Sequence, residues 1–486
     1  MTKKKFLERS SQNHKFYITA AIPYVNANPH IGHALEFVQT DTIARYHRLL
    51  GEDVLSLSGG DENAVKNVQA AESERIPIQK FVDRNTETFR QLAIALNAEF
   101  SVWQKGSDEK HHFLSVQKLW RLCGKDIYKK KYEGLYCVGC ETFYTPEELD
   151  ENGECFEHPG KKPQKVSEEN HFFKLSKYQD QLIKLIESDE LKIIPETKKN
   201  EVLAFLKEPL RDISISRTNE RAKNWGVPVP EDSTQRIYVW FDALNIYQSG
   251  IGFGWDEEKY NKFWPADVHV IGKGITRFHA IYWPAFLLSA KLKLPKSIFV
   301  HGYLTVNGQK MSKTLGNVID PFEIIKKYGA DALRYYLLAK VSPFSDGDFS
   351  EEKLKDTFNA DLASGIGNTA ARLAKLCETS EVEFQYEQVG YEIRQPIIRF
   401  LKEFKFNEAL HAILSRFSSI DKEINEKEPW SLKGEGLGKL LSGWVEEIRS
   451  LSVDLKPFLP ETAEKIEKQF EGPKIKSGAP LFPRIK

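Results

Sequence analysis

The hydrophobic pattern near the N-terminus changes from a short continuous run to a helical spacing. Aromatic and β-branched residues fill positions 16–22, which predicts a buried strand, and the prolines and asparagines of 23–29 predict a loop. From His30 the apolar positions recur with the period of a helix, which Gly51 should end, and 54–57 predicts a second strand. A strand, a helix and a strand in this order indicate a parallel pair with a right-handed crossover.

Later stretches extend this pattern along the chain. Large aromatic side chains in residues 237–241 predict another strand, and residues 323–338 predict one continuous helix. Beyond residue 357 the chain is expected to be all-helical, because its apolar residues recur at a period of about 3.6. That apolar stripe consists of Leu362, Ile366, Ala370, Leu373 and Leu376.

Chain length and composition narrow the class of protein. With 486 residues the chain is too long for a single core, so about three domains are expected. Lys+Arg and Asp+Glu both number 69, so a nucleic-acid partner must be bound by local patches rather than by a global basic field. Five cysteines argue against a secreted disulfide framework. We see no signal peptide and no stretch that could span a bilayer, so a cytoplasmic protein without membrane association is expected.

Two histidines mark the start of the first predicted helix. His30 and His33 stand three positions apart, so their imidazoles share a face, and Gly32 leaves room for a flat ring to approach the backbone. The N-terminus of a helix also presents N–H groups that favour anions. The arrangement suits a nucleotide phosphate, although two nearby histidines on a helix are more often polar surface.

A second candidate segment lies far downstream, in residues 301–317. A tight-turn Asn-Gly dipeptide there precedes Lys310, Ser312 and Lys313. Mobile ammonium groups on such a loop suit a polyphosphate whose charge shifts during a reaction. For this loop on its own, a solvated basic turn is the favoured alternative.

A cysteine cluster has the spacing of a metal site. Cys137 and Cys140 form one pair, and Cys155 and His158 form a second pair after a short loop. Thiolate and imidazole ligands at this spacing predict one tetrahedral Zn²⁺ with a structural role, since no position is left for water. A redox Cys-x-x-Cys is the alternative, but it leaves the second pair without a function.

Together, the histidine and lysine segments resemble the paired signatures of class I aminoacyl-tRNA synthetases. The first matches the His-x-Gly-His motif fully, and the second matches Lys-Met-Ser-Lys, with Thr314 where serine is commoner. The resemblance covers about residues 16–483 and is closest to the methionyl-tRNA synthetases of the bacterial type with a single zinc knuckle. The segments that carry it further are 21–24, 238–243, 278–284 and 428–430.

The resemblance implies ATP-dependent activation of L-methionine to methionyl-adenylate and its transfer to the 3′-terminal adenosine of tRNA(Met), with Mg²⁺ accompanying ATP. His30 and His33 would stabilise the phosphates in the transition state, and Lys310 and Lys313 would bind the departing pyrophosphate. These four are the implied catalytic residues. The implied ATP site comprises His30, Gly32, His33, Lys310, Ser312 and Lys313.

The amino-acid site rests on the resemblance rather than on residue type. By residue type alone, Trp240 is more often a core residue than a pocket residue. The family lines its side-chain pocket from these segments, and Asp61 would supply the carboxylate that receives the substrate ammonium. The implied methionine site comprises Ile22, Tyr24, Asp61, Trp240, Ala243, Leu244, Tyr247, Ile275 and His279.

Two positions depart from the family pattern. Asn63-Ala64 stands where the family commonly has His-Gly, and Gly274 stands where it commonly has aspartate. These departures bear on the affinity for ATP or methionine more than on the type of reaction.

The C-terminal helical part is where the resemblance implies the anticodon contacts. Asn368 and Arg372 lie four positions apart on one face of a predicted helix, and Trp430 would provide a stacking platform for an RNA base. Solvated surface is the alternative for the first two residues, and core packing is the alternative for Trp430. No appended tRNA-binding module is visible, and because that module accompanies dimers in this family, a monomer is expected.

The predicted fold class is α/β: a Rossmann-like parallel sheet of the class I synthetase type, split by a zinc-bearing insertion and followed by an all-α anticodon-binding bundle. Two alternatives stay open for the function, a class I synthetase for another apolar amino acid and a non-catalytic tRNA-binding relative. The predicted divisions are a disordered basic tail (1–15), the first half of the catalytic fold (16–120), the insertion (121–232), the second half (233–320), a linking segment (321–357) and the bundle (358–486).

Overall fold

The strands of the molecule can be followed from one end of the chain to the other. The computed structural model describes residues 14–137, 139, 142–156, 160, 162–311, 316–380, 382–385 and 391–485. In these ranges every helix is too short or too polar to span a lipid bilayer. The strands are β1 (Lys15–Ala20), β2 (Asp53–Gly60), β3 (Val102–Lys105), β4 (Ile127–Cys137), β5 (Thr142–Tyr144), β6 (Gln164–Phe173), β7 (Lys192–Ile194), β8 (Ile213–Ser214), β9 (Ser216–Thr218), β10 (Pro228–Val229), β11 (Asp232–Ile237), β12 (Val268–Gly272), β13 (Ser297–His301), β14 (Leu304–Val306), β15 (Gln309–Lys310) and β16 (Gly347–Phe349).

The helices lie between these strands in the first two thirds of the chain and dominate the last third. Short π-helical turns at Glu109–Phe113, Phe278–Tyr282 and Phe358–Gly367 join some of them. The α-helices are α1 (Ile31–Leu49), α2 (Val65–Glu74), α3 (Ile78–Ala95), α4 (Leu114–Cys123), α5 (Gln179–Glu187), α6 (Glu196–Phe205), α7 (Val239–Ala243), α8 (Ile246–Ser249), α9 (Glu257–Phe263), α10 (Trp283–Ser289), α11 (Pro321–Tyr328), α12 (Ala330–Ala339), α13 (Glu351–Thr357), α14 (Asn368–Ser380), α15 (Gln395–Lys402), α16 (Phe406–Lys427), α17 (Gly434–Leu455) and α18 (Pro460–Gln469).

The main sheet is parallel, and its strands follow the order β3-β2-β1-β12-β13-β7. The predicted parallel pair is confirmed, because β1 pairs with β2 and α1 connects the two strands. Strand β1 also pairs with β12, with Thr19 opposite His269, so the sheet continues in the other direction from β1. The carboxyl ends of β1 and β12 therefore flank a topological switch point, where nucleotides bind in sheets of this kind.

Helix α1 fixes the geometry of this edge. It packs across β1, β2 and β12, and its buried stripe of Ile31, Leu35 and Val38 belongs to the same hydrophobic core as the C-terminal helices. The period of the apolar positions thus turns the first residues of α1 towards the switch point.

A buried ion pair joins α1 to the C-terminal helices. The Arg334 guanidinium of α12 is fully buried and lies 2.7 Å from the Asp41 carboxylate of α1. The same guanidinium also donates to the carbonyls of Pro457, Phe458 and Leu96, at 2.9, 2.7 and 3.1 Å. Because an unpaired charge at this depth would destabilise the fold by about 3–5 kcal/mol, these contacts hold the two parts in one arrangement.

Two predicted elements are wrong in detail. The strand expected at 237–241 ends at Ile237, and the following residues form α7, where the aromatic side chains are buried against helices instead of within a sheet. The helix expected at 323–338 is interrupted by Gly329, whose φ of 86° is incompatible with a helix and separates α11 from α12. The all-helical C-terminal part is confirmed, since the described residues after β16 contain no strand.

An antiparallel sheet is inserted along the chain after β3, before the remaining strands of the main sheet. Its order is β5-β4-β6-β8, and it is built on the long pairing of β4 with β6. Strand β7, although it lies within the predicted insertion at 121–232, pairs with β13 at the edge of the main sheet. Two smaller sheets have the orders β10-β11-β9 and β15-β14-β16.

Candidate active site

The two signature histidines lie at the N-terminus of α1, directly after the loop that leaves β1. His30 is the N-cap residue, and its Nδ1 accepts a hydrogen bond from the backbone N–H of Gly32 at 3.1 Å. The Nδ1 of His33 accepts from the backbone N–H of His30 at 3.0 Å, and the two imidazole centroids are 3.9 Å apart. The two side chains therefore form a capping box, a role usually filled by Ser or Thr with Glu.

These hydrogen bonds determine the tautomer of both rings. We assign the proton of each neutral ring to Nε2, because Nδ1 accepts a backbone hydrogen bond in both residues. Burial lowers the pKa of His30 to about 4, and burial together with the neighbouring His30 lowers the pKa of His33 well below its ordinary value. The start of the helix thus presents neutral Nε2–H donors, backed by the positive end of the helix dipole.

The segment before the signature lysines approaches the same helix start. Asn307 and Gly308 both have positive φ, of 52° and 76°, so the predicted tight turn is present between β14 and β15. A Cβ atom at Gly32 would lie 3.5 Å from Cε of Met311, and the backbone N–H of Ile31 donates to the carbonyl of Ile319 at 3.2 Å. The side chain of Lys310, and Ser312 and Lys313 as a whole, lie outside the described residues.

The predicted methionine-site residues gather on the other side of β1, around Trp240. The Trp240 ring stacks on Phe278, with centroids 3.6 Å apart, and meets Tyr24 edge-on at 6.1 Å. The remaining apolar members, Ile22, Leu244, Tyr247 and Ile275, belong to the same hydrophobic cluster, and Ala243 is buried in the same helix as Trp240.

A chain of hydrogen bonds orients the polar edge of this cluster. His279 is buried, its Nδ1 lies 3.0 Å from the Ile275 carbonyl, and its Nε2 lies 2.8 Å from the Tyr247 hydroxyl. Because the carbonyl can only accept, Nδ1 carries the proton and Nε2 accepts from Tyr247. Burial lowers the pKa of His279 to about 4 and raises that of Tyr247 well above its ordinary value, so both side chains are neutral.

Asp61 directly follows β2 and lies beside the loop that leaves β1. The backbone of Asp61 forms a β-bridge with Tyr24, and its N–H donates to the Pro23 carbonyl at 2.9 Å. The Asn67 side chain donates to the Asp61 carbonyl at 2.8 Å. Asp61 is buried, and its carboxylate is the group predicted to receive the substrate ammonium.

Several residues of this region escaped prediction from the sequence. Phe278 is the stacking partner of Trp240. The only feature of the sequence that pointed to Phe278 was its place in the segment 278–284, which resembles the family. Glu36 of α1 accepts hydrogen bonds from the Ala21 N–H at 2.9 Å and pairs with His301 at 3.0 Å, which ties the end of β13 to the end of β1. Nothing in the local sequence around Glu36 indicates this role.

The structure gives a physical reason for the departure at Gly274. A Cβ atom at this position would overlap the Tyr303 hydroxyl, so the phenol occupies the space in which a side chain would begin. Tyr303 is held there by a backbone hydrogen bond to Asp346 at 2.9 Å, and Lys273 bridges the Tyr303 ring and the same carboxylate. An aspartate at 274 therefore requires Tyr303 to move.

Two of the three cysteines in the predicted zinc site, Cys137 and Cys155, lie within the described residues. Cys137 ends β4, Cys155 lies between β5 and β6, and both are buried. A φ of 71° at Gly153 allows the turn that precedes Cys155. Cys140 and His158 lie outside the described residues. Groups of three or more metal-binding side chains do not occur in the described ranges, so the ligand set stays a prediction.

The predicted anticodon residues occupy the helical part. Arg372 of α14 is bound by Asp421 and Asn425 of α16, at 2.5 and 2.8 Å, and Asn368 lies 3.5 Å from the same aspartate. Sequence reasoning missed these two partners, since they lie on another helix. Trp430 follows the end of α16 and is 62% exposed, so its alternative interpretation as a core residue is wrong.

Comparison with known proteins links this site to a known family. A family model described as tRNA synthetases class I (M) matches residues 16–159 and 151–374. The methionine–tRNA ligase of Brucella suis is 40% identical over 471 residues, which cover 93% of this chain and 91% of that protein. The methionine–tRNA ligase of Thermotoga maritima is 41% identical over 472 residues, which cover 93% and 74% respectively.

Solved structures show the same similarity in three dimensions. The methionyl-tRNA synthetase of Mycobacterium tuberculosis in complex with methionyl-adenylate matches with a TM-score of 0.89 and 34% identity, over 97% of this chain and 100% of that chain. The apo form of that synthetase matches with a TM-score of 0.82 and 32% identity, over 98% and 99%. The similarity therefore includes both the parallel sheet and the C-terminal helices.

Proposed function

This chain belongs to the class I tRNA synthetases of the methionine type, and from that premise we propose how its own residues carry the reaction. The enzyme is a methionine–tRNA ligase that uses ATP with Mg²⁺. In the first step the methionine carboxylate attacks the α-phosphate, the bond to the β-phosphate breaks, and methionyl-adenylate and pyrophosphate form. In the second step a hydroxyl of the terminal ribose of tRNA attacks the adenylate carbonyl, and AMP leaves.

His30 and His33 act on the phosphates as neutral hydrogen-bond donors. Their Nε2–H groups point away from the capping box, at the positive end of α1, and a charge that develops on the α-phosphate in the transition state is stabilised there. Because the donors are held by backbone hydrogen bonds before substrate binds, little reorganisation is needed during the step.

We propose that Lys310, Ser312 and Lys313 complete the ATP site. The observation that carries this assignment is the approach of Met311 to Gly32, which brings the two signature segments together at the switch point. Gly32 has no side chain, and a Cβ atom there would lie 3.0 Å from the His30 ring and 3.5 Å from Cε of Met311, so glycine is what allows the two segments to approach. The lysines neutralise the pyrophosphate as it departs.

The amino-acid site separates recognition of the two ends of methionine. Asp61 receives the ammonium as a buried carboxylate, and Trp240 with Tyr24 encloses the apolar side chain. The neutral Tyr247–His279 pair supplies a polar edge without a charge. Its two protons are donated to His279 and to the Ile275 carbonyl, and a thioether tolerates the lack of a free donor because its sulfur is only a weak acceptor. The further lining residues are Ile22, Ala243, Leu244 and Ile275.

A panel of amino acids in the ATP–pyrophosphate exchange reaction tests the proposed specificity. We expect methionine to give exchange, with at least about 100-fold lower kcat/KM for leucine and valine, because a closed apolar pocket rejects branched chains by a few kcal/mol. Exchange with leucine or valine but not with methionine would mean a class I synthetase for another apolar amino acid. No exchange with any amino acid would instead favour a non-catalytic relative.

We propose one structural zinc ion, held by Cys137, Cys140, Cys155 and His158. The spacing of the two pairs along the chain is what supports this proposal, and Cys137 and Cys155 are both buried. Purified protein should contain about one zinc per chain by elemental analysis, and Cys155→Ser should lose it, because hydroxyl oxygen is a poor replacement for a thiolate. Cys377→Ser is the matched control, since Cys377 is also buried but belongs to no pair. Equal zinc content in the two variants would contradict the site.

The tRNA contacts are proposed for the C-terminal helices. Asn368 and Arg372 would read anticodon base edges, with Asp421 and Asn425 holding the guanidinium in a fixed orientation. Trp430 would offer its exposed face for stacking. A chain with no net charge can bind tRNA in this way because local patches, and not a global field, make the contacts.

A further inference from the structure

A buried carboxylate lies behind the proposed methionine site and is held on both of its oxygens. Asp242 of α7 is 1% exposed. Its Oδ2 accepts a hydrogen bond from Nδ2 of Asn63 at 2.7 Å, and its Oδ1 is paired with Nε2 of His112. The other ring nitrogen of His112 lies 2.8 Å from the Ser249 hydroxyl. Three distant parts of the chain thus meet at one buried charge.

The orientation of the Asn63 amide is determined by its neighbours. Its Nδ2 donates both hydrogens, one to Asp242 and one to the Gly106 carbonyl at 2.7 Å. The reverse orientation would turn the amide oxygen towards two acceptors, which excludes it. Asn63 is 7% exposed, so its bond to Asp242 is a charge-assisted hydrogen bond shielded from water.

The segment that carries Asn63 is itself fixed in place. The buried carboxylate of Glu62 accepts hydrogen bonds from the Thr86 hydroxyl at 2.5 Å and from the Ser107 N–H at 2.9 Å. The Gly106 N–H donates to the carbonyl of Gly60 at 3.0 Å. The end of β2 therefore forms a rigid base from which the Asn63 side chain reaches α7.

We propose that Asn63 is a positioning residue that sets the separation between the two ends of the methionine site, an inference that rests on the function proposed above. Asp61, the ammonium acceptor, precedes Asn63 by two residues, and Trp240, the wall of the side-chain pocket, precedes Asp242 by two. The Asn63–Asp242 hydrogen bond links these two segments directly. Without it, the base at β2 no longer restrains α7, and Trp240 can shift on Phe278.

The effect is expected to be specific for methionine. The ATP site is built on the start of α1 and the lysine segment, and its described contacts include none of Asn63, His112 and Asp242. A residue that only contributes to global stability would instead affect both substrates alike. The separation of the two KM values therefore distinguishes a positioning role from a structural one.

Two substitutions at this position test the proposal in the exchange reaction. Asn63→Leu removes the donor at similar volume and should raise KM for methionine about 10- to 100-fold, as expected for a lost hydrogen bond to a buried charge, with KM for ATP unchanged within about twofold. Asn63→His restores a donor, since an imidazole N–H can reach the carboxylate, and should recover most of the affinity for methionine. If the leucine variant does not fold, Asn63→Ala takes its place in the same comparison.

A matched control separates this result from a general loss of buried hydrogen bonds. Asn170→Leu removes a buried asparagine of β6 whose side chain donates to Glu168 at 3.1 Å and takes no part in the described hydrogen bonds of Asn63 or Asp242. It should leave both KM values unchanged.

Equal increases in KM for methionine and ATP in Asn63→Leu, or an Asn63→His variant that binds methionine as weakly as Asn63→Leu, would overturn the proposal. A native enzyme that activates another amino acid would overturn the proposed function itself, and the amino-acid panel reports that outcome separately.

Discussion

Replacing His30 with asparagine should lower kcat for methionine activation about 100- to 1000-fold while leaving the fold intact. Asparagine is among the best N-cap residues, so its side-chain oxygen can accept the Gly32 N–H that His30 Nδ1 now accepts. What the variant lacks is the Nε2–H donor, which we assign to the phosphates. The loss of one fixed donor to a developing oxyanion accounts for the size of the effect. ATP–pyrophosphate exchange measures the rate, and thermal unfolding measures the fold.

The control for this variant is His411→Asn, which makes the same replacement at an exposed histidine of α16. It should leave both the exchange rate and the unfolding temperature unchanged. A His30→Asn enzyme within about threefold of the native rate would contradict the assignment of the donor. A large drop in its unfolding temperature would show instead that the capping role was lost.

The neutral state of the donor can be tested separately through pH. Burial lowers the pKa of His30 to about 4, so its imidazole stays neutral until the pH falls towards that value. The profile of kcat/KM for ATP, which reports the free enzyme, should therefore be flat between about pH 5.5 and 7.5 and decline only at lower pH. An inflection at the ordinary histidine value, with the fold unchanged by circular dichroism, would show that a charged imidazole takes part.

Features that depend on local spacing could be predicted from the sequence. Histidines three apart at a helix start share a face wherever that helix forms, so the pair at His30 and His33 follows from sequence alone. The strand, helix and strand around them follow from the change in hydrophobic period. In contrast, the aromatic run at 237–241 predicts a strand, and that prediction is wrong after Ile237, because packing of these side chains in the core overrides their strand propensity and the chain forms the helix α7.

Features that depend on contacts between distant parts of the chain could not be predicted. Asn63 and Asp242 are 179 positions apart, and neither has a neighbour that marks it as half of a buried pair. The same holds for Gly274, whose missing side chain makes sense only once Tyr303 is seen in its place. Such pairs arise when the sheet brings the ends of its strands together, so topology has to be known before they can be recognised.

Trp430→Ala should lower kcat/KM for tRNA in aminoacylation about 10- to 100-fold and leave ATP–pyrophosphate exchange unchanged within about twofold. The indole is 62% exposed, so removing it takes little from the core, and stacking of one RNA base on an aromatic ring contributes about 1–3 kcal/mol. Exchange requires no tRNA, and its substrates bind at the switch point of the parallel sheet, so it serves as an internal measure of an intact catalytic site.

Two further variants separate stacking from a general surface effect. Trp430→Phe keeps a smaller aromatic face and should lose much less than Trp430→Ala. Trp255→Ala removes another exposed tryptophan, one that packs on His111 at the catalytic fold, and should leave tRNA charging intact. If Trp430→Ala lowers exchange as much as aminoacylation, the side chain acts through folding. If neither reaction changes, the anticodon is bound elsewhere on the helices, and Arg372 with its partners Asp421 and Asn425 then becomes the contact to replace.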